Sequence, residues 1–380
     1  MPRSGHPGGS RRPSTRTRVA SLSAALVLAA AFAPAIPAAA ADPTPSPVDL
    51  VNPFIGTRNF GNTFPGASAP FGMVQVSPDT GGQGGYDHAQ GSIFGFSQTH
   101  LSGVGCPVVG ELPLMPTTGA VTSTDPARYR STYTHADEQA SPGYYRVGLG
   151  SYGIDAELTA TARTGWQRYT FPATAEANVL LNTGKANQGV LDSEVHVVDG
   201  HTVEGRVRAG GFCAGHDQHT VYFTAVFDRP FTATGTWRGA TRTPGGLDAA
   251  GSGATGAWVS FDARTDRDVV VKVGLSYTGV AGARANLAAE TGGSFDFDAT
   301  RAALRATWAG QLASVRVTGG GPLTATINIL DTPARFELDD ITVGVGALVT
   351  WAHAGTQPHT VTERSGAGLE SFAINGRTFV

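Results

Sequence analysis

Two cysteines, Cys106 and Cys213, are all that this chain of 380 residues contains. It is therefore not one of the small scaffolds that disulfides hold together. The length suffices for one or two domains with a sizeable apolar core, which needs no staple. Each cysteine lies in a Gly-rich motif, GVGC and GGFC. That placement favours two separate loop cysteines, while an even count in an exported chain leaves a bridge open. Charge of one sign is lacking as well: the formal net charge is −3. Beyond the N-terminus Lys and Arg do not cluster, which argues against a nucleic-acid surface or a polybasic membrane patch. No apolar run reaches the ~20 residues that span a bilayer. The first 41 residues instead read as a cleaved signal, with Arg11, Arg12, Arg16 and Arg18 before a short apolar stretch and small residues at Ala40 and Ala41. No stable membrane anchor is then expected after cleavage. No repeat at solenoid or propeller period is visible.

Glycine and proline, by contrast, are abundant, at 51 and 23 residues. They are densest from Asn52 to Pro116, where Asn62, Tyr86, Asp87, His88, Gln98, His100 and Cys106 stand between short apolar runs. Glycine admits conformations closed to other residues and proline removes a donor, so this stretch reads as shaped loops between short strands. Such loops carry binding groups more often than cores do. The plainer alternative is ordinary turns, with Asp87 capping one of them and His100 a satisfied core imidazole. After a Pro-rich linker at 42–47, and from Tyr144 onward, short alternating runs rich in Val, Thr and aromatics predict many antiparallel strands. Asp199-Gly200 between two such runs predicts a hairpin. The fold class expected is mainly β, a many-stranded antiparallel sandwich with a flanking helix and a small β tail. The helical segment runs through ARANLAAE and FDATRAALRATW, with Ala302, Leu304, Trp308 and Leu312 on one face and Asp298 as a cap.

The runs NPFIGT, GNTFPGA, PFGMVQVSPDT, GFSQTHLSGVGC and LPLMP occur in that order between Asn52 and Pro116. TGWQRYTFP, VEGRVRAGGFC, GLSYTGVAGARANLAAE and FDFDATRAALRATW follow. Together these motifs resemble the N-terminal domain of glycoside hydrolase family 92, the exo-acting α-mannosidases. The resemblance covers Val48 to about Gly319 and makes 48–319 one β-sandwich domain with its linker helix. It implies an inverting hydrolysis of terminal α-linked mannose, often α-1,2, with calcium in the full-length enzyme and α-mannoside glycans as partners. General acid, base and calcium ligands belong in that family to a helical domain whose motifs are missing here. No catalytic residue, metal ligand or cofactor is therefore assigned to this chain. The residues carried over as lining the sugar cleft are Asn62, Gly66, Tyr86, Asp87, His88, His100 and Cys213.

That assignment agrees with the chemistry of sugar binding, in which polar groups meet hydroxyls and aromatic faces meet C–H surfaces. His216 and His219 flank Asp217 at loose metal-ligand spacing, but without a third and fourth ligand they read as a solvated loop. Residues 320–380 resemble a partial cupredoxin. Only His359 matches a ligand there, and neither Cys nor Met follows Gly321, so no blue-copper site is expected. The function that follows is the cleft domain of a secreted α-mannosidase, inactive by itself. A non-catalytic carbohydrate-binding module and a remnant of a broken reading frame are the alternatives.

Overall fold

The computed structural model describes residues 46–314 and, beyond them, the backbone of strands between Thr324 and Phe379. The signal reading of residues 1–41 and most of the 42–47 linker lie outside the described residues.

Alternating sequences become strands whose two faces meet different neighbours. An eight-stranded sheet runs in the order Ala67–Ser68, Gln75–Asp79, Gly95–Ser97, Leu114–Thr118, Ala177–Asn182, Thr255–Phe261, Ala233–Arg238, Thr241–Pro244. A nine-stranded sheet follows the order Asp248–Gly251, Gly189–Val197, Thr202–Gly210, Gln218–Phe227, Asp268–Ser276, Thr164–Thr170, Ile154–Ala160, Tyr144–Leu149, Gln139–Ser141. Neighbours pair antiparallel; the turn at Asp199-Gly200 joins Gly189–Val197 to Thr202–Gly210 as a hairpin. One continuous core fills the space between the sheets. It takes Val76, Phe96, Leu114, Val179 and Phe261 from one, and Tyr145, Leu158, Tyr169, Phe223 and Val271 from the other. The chain is an antiparallel β-sandwich, as its patterning predicts.

Strand Asp268–Ser276 shows how the layers form. Val269, Val271, Val273 and Leu275 point into the main core. The residues between them face outward beneath helices. Val270 packs there with Tyr144, Trp166 and Phe297. Gly274 lets the helix Val280–Thr291 approach so closely that a Cβ would lie 2.6 Å from the Ala283 carbonyl oxygen. Lys272 shares this outer face. It is 1% exposed, donates to Thr291 Oγ1 at 3.1 Å and the Ser294 carbonyl at 2.7 Å, and lies 3.9 Å from the Phe295 ring centroid.

The helical segment differs from the single helix expected. It is two helices, Val280–Thr291 and Phe297–Leu312. Gly292 ends the first in the left-handed conformation, φ 53°, where glycine is the least strained residue. Asp296, not Asp298, caps the second by accepting from the Ala299 amide at 2.9 Å. Asp298 instead takes both Arg168 guanidinium nitrogens, at 2.8 and 3.1 Å. The buried seam runs through Phe297 and Leu304, with half-buried Trp308 donating to the Ser68 carbonyl at 2.8 Å, while Ala302 is exposed.

In the tail, Thr324–Asp331, Ala334–Phe336, Leu348–His353 and Thr378–Phe379 form a four-stranded sheet, and His359–Ser365 pairs with Gly368–Ile374. The side chain of His359 lies outside the described residues, so the expectation of no blue-copper site is left as it stands.

Candidate functional site

The loops of the Asn52–Pro116 stretch do not scatter over the sandwich. Backbone bonds tie them together, with His88 N donating to Thr57 O at 2.9 Å and Gly103 N to the Asn62 carbonyl at 3.0 Å. Asn62 adopts φ 51° and its amide donates to Gln83 Oε1 at 3.3 Å. Asn187 donates to the Gln83 carbonyl at 2.6 Å, which brings in the loop after Ala177–Asn182. A disulfide between Cys106 and Cys213, Cα atoms 5.3 Å apart, ties in the loop after Thr202–Gly210. This corrects the expectation of two separate cysteines. The hydrogen bonds between these loops and the sheets that carry them put the two thiols within reach of each other.

Beneath the loops lie three carboxylates, each already engaged. Asp79 accepts from the Ser97 amide at 2.9 Å and the Ser97 hydroxyl at 2.7 Å, with His100 Nε2 at 3.3 Å. His100 also puts Nδ1 3.0 Å from the Gln75 carbonyl and is 3% exposed, so both its nitrogens have partners inside the core. Glu111, fully buried, accepts from Thr99 Oγ1 and meets His219 Nε2 at 2.9 Å. That hydrogen bond and the carboxylate charge outweigh burial and raise the His219 pKa. His219 is therefore half-buried and paired, not part of a solvated loop, whereas His216 and Asp217 are exposed. Glu138 takes Tyr145 Oη at 2.6 Å, Tyr86 Oη at 2.9 Å and His135 Nδ1 at 2.6 Å. Burial first, then the Glu138 charge, drive the Tyr86 and Tyr145 phenols well above their ordinary pKa. Both hydroxyls thus stay protonated donors.

The model of the glycosyl hydrolase family 92 N-terminal domain matches residues 50–276. The chain belongs to this family. Among solved structures, a family 92 α-mannosidase from Bacteroides thetaiotaomicron is 32% identical, with TM-score 0.65 over 73% of this chain and 39% of its own. The same enzyme has been seen in complex with mannoimidazole. The family 92 glycosyl hydrolase ccman5 is 33% identical, with TM-score 0.67 over 72% of this chain and 38% of its own. An uncharacterized secreted glycosidase of Arthroderma benhamiae is 35% identical over 138 residues, 34% of this chain and 18% of its own. The chain thus spans about two-fifths of the solved relatives and less of the curated one.

Within this family 92 domain the residues selected from sequence separate into two groups. Asn62, His88 and Cys213 are at least partly exposed on the loop cluster. The other four are engaged within the fold. Tyr86 is buried against Glu138. Asp87 caps its own turn by accepting from the Ala89 amide at 2.9 Å. His100 is the satisfied core imidazole described above. Gly66 has backbone in place of a side chain, since a Cβ would come 2.2 Å from the Val76 carbonyl oxygen. Sequence reading missed His135 and Glu138, whose only local signal is their spacing of three residues.

His88, His135 and Glu138 are also where a metal ion would find donors. Calcium, the ion implied for the full-length family, takes six to eight oxygens. A set with two imidazole nitrogens does not fit it.

Proposed function

We propose that this chain forms one wall of the sugar cleft of a secreted family 92 α-mannosidase acting on α-1,2-linked mannose. The observation that carries this reading is the convergence of five loop segments at one end of the sandwich, beneath which Asp79, Glu111 and Glu138 are each already hydrogen-bonded. Inverting glycoside hydrolysis needs a free acid and a free base ~6.5–9.5 Å apart around a water. Carboxylates tied to histidines and tyrosines supply rigidity instead, and the acid and base are assigned to a helical domain beyond this one. The disulfide and the relative named as secreted support an oxidising, extracellular setting.

Half a cleft encloses about half of a monosaccharide, and each tenfold in affinity corresponds to ~1.4 kcal/mol. Mannoside dissociation constants in the millimolar range follow, with no detectable turnover. The test mixes the chain with α-1,2-mannobiose, with and without calcium, and measures released mannose. Calcium-dependent release would place catalytic carboxylates in this chain and end the reading.

One observation favours a second function, a non-catalytic carbohydrate-binding module. Phe60, 95% exposed and two residues from Asn62, offers an aromatic face of the kind sugars stack on. Mannoside binding in the absence of turnover that disappears in Phe60→Ala would favour the module.

A further inference from the structure

His88, His135 and Glu138 each offer a ligand atom, and the three atoms lie within 4.8 Å of one another. Their roles are not equal. The Glu138 side chain is 1% exposed and accepts from two tyrosine hydroxyls besides meeting His135 Nδ1. A carboxylate accepts and does not donate, so the His135 proton sits on Nδ1 and its Nε2 lone pair is left free. The His135 side chain is 42% exposed. A carboxylate that fixes the tautomer and orientation of an imidazole in this way is the usual outer partner of a metal-bound histidine.

His88 lies flat on His135, ring centroids 3.7 Å apart and planes 6° from parallel, with Phe54 edge-on at 5.9 Å. Among the described residues neither ring nitrogen of His88 has a hydrogen-bond partner. Parallel rings do not aim two in-plane lone pairs at one ion, so binding requires His88 to turn about its Cβ–Cγ bond. With no hydrogen bond to break, that turn gives up only the ring contacts with His135 and Phe54.

We propose that His88 and His135 together bind one divalent transition cation, of the class Cu²⁺, Ni²⁺ or Zn²⁺, with Glu138 as the orienting acceptor of the His135 Nδ1 proton. Imidazole nitrogens suit these ions and discriminate against calcium and magnesium. Two protein ligands leave the remaining coordination positions to water. The site is independent of the cleft-wall reading, since its donors are identified by their own geometry.

Copper is the probe, because a given nitrogen set binds Cu²⁺ most tightly of the first-row divalent ions. The full chain is titrated with Cu²⁺ in a non-chelating buffer, followed by calorimetry and electron paramagnetic resonance. One equivalent with hyperfine structure from two nitrogens is expected, and an excess of Ca²⁺ should not displace it. His88→Ala and His135→Ala should each weaken that site at least 10-fold while the chain still melts in one cooperative transition. An affinity and spectrum unchanged in His88→Ala would place the copper on other histidines and overturn the proposal. A second measurement needs no variant. Bound Cu²⁺ should protect His88 and His135 from carbethoxylation, read by peptide mass spectrometry, and equal labelling with and without Cu²⁺ would also overturn it.

Discussion

Replacing Cys106 and Cys213 by serine together should cost this domain a large part of its stability. The bridge closes a loop with a sequence separation of 107 residues. In the chain-entropy account a loop of about 100 residues is worth up to ~4.7 kcal/mol, while measured bridges usually deliver ~2–4 kcal/mol. The lower range is the better expectation. Cys213 and the residues around it are exposed, and Cys213 and Ala214 stand at φ 49° and 60°, an unfavourable backbone for non-glycine residues. The bridge therefore adds little native packing and acts mainly by restricting the unfolded chain. At ~2–4 °C per kcal/mol for a domain somewhat smaller than this one, the melting temperature should fall by roughly 5–15 °C. Differential scanning calorimetry of the double variant beside the parent protein, and of the parent with a thiol reductant, measures it. A drop below ~2 °C in both comparisons would refute the entropic reasoning. Two free thiols titrated in the unreduced, denatured chain would refute the bridge itself.

Burial pushes Lys272 down to about 8 from its ordinary 10.5. Its folded-state pKa is the lower one, so between about pH 8 and 10.5 this lysine binds more protons in the unfolded chain and its own contribution to stability rises with pH. The contacts of its ammonium with the Trp166 and Phe295 rings oppose part of that shift. In urea unfolding the parent should therefore gain about 1–3 kcal/mol on Lys272→Met across the window, a difference being needed because the raised phenols of Tyr86 and Tyr145 lower the stability of both proteins as pH nears 10; a constant difference would remove Lys272 as its source. Gly274→Ala should destabilise by ~1–3 kcal/mol, because its Cβ would meet the Ala283 carbonyl oxygen at 2.6 Å and the Leu287 Cβ at 2.7 Å and push the helix Val280–Thr291 off the sheet. Urea midpoints read the effect, and a variant as stable as the parent would mean that the helix shifts freely.

What the sequence determined by itself is local. Alternation of period two in runs such as SEVHV names the strands, because successive side chains face opposite sides whatever the partner strand is. Asp199-Gly200 names its hairpin for a similar reason, since a tight turn is specified by the residues inside it. The density of glycine and proline from Asn52 to Pro116 marks the loops where Asn62 and His88 come to be exposed. Boundaries were less legible: the break at Gly292 rests on its left-handed backbone, and Asp298 is drawn away from the cap position by Arg168, 130 residues distant. Only the tertiary structure decided which distant groups meet. Tyr86 and Glu138 are 52 residues apart, Glu111 and His219 are 108 apart, and the two cysteines 107 apart. No local pattern encodes such pairs, because the order of strands in two sheets sets them. The same topology places His100 in the core, with Asp79 and the Gln75 carbonyl at its two nitrogens.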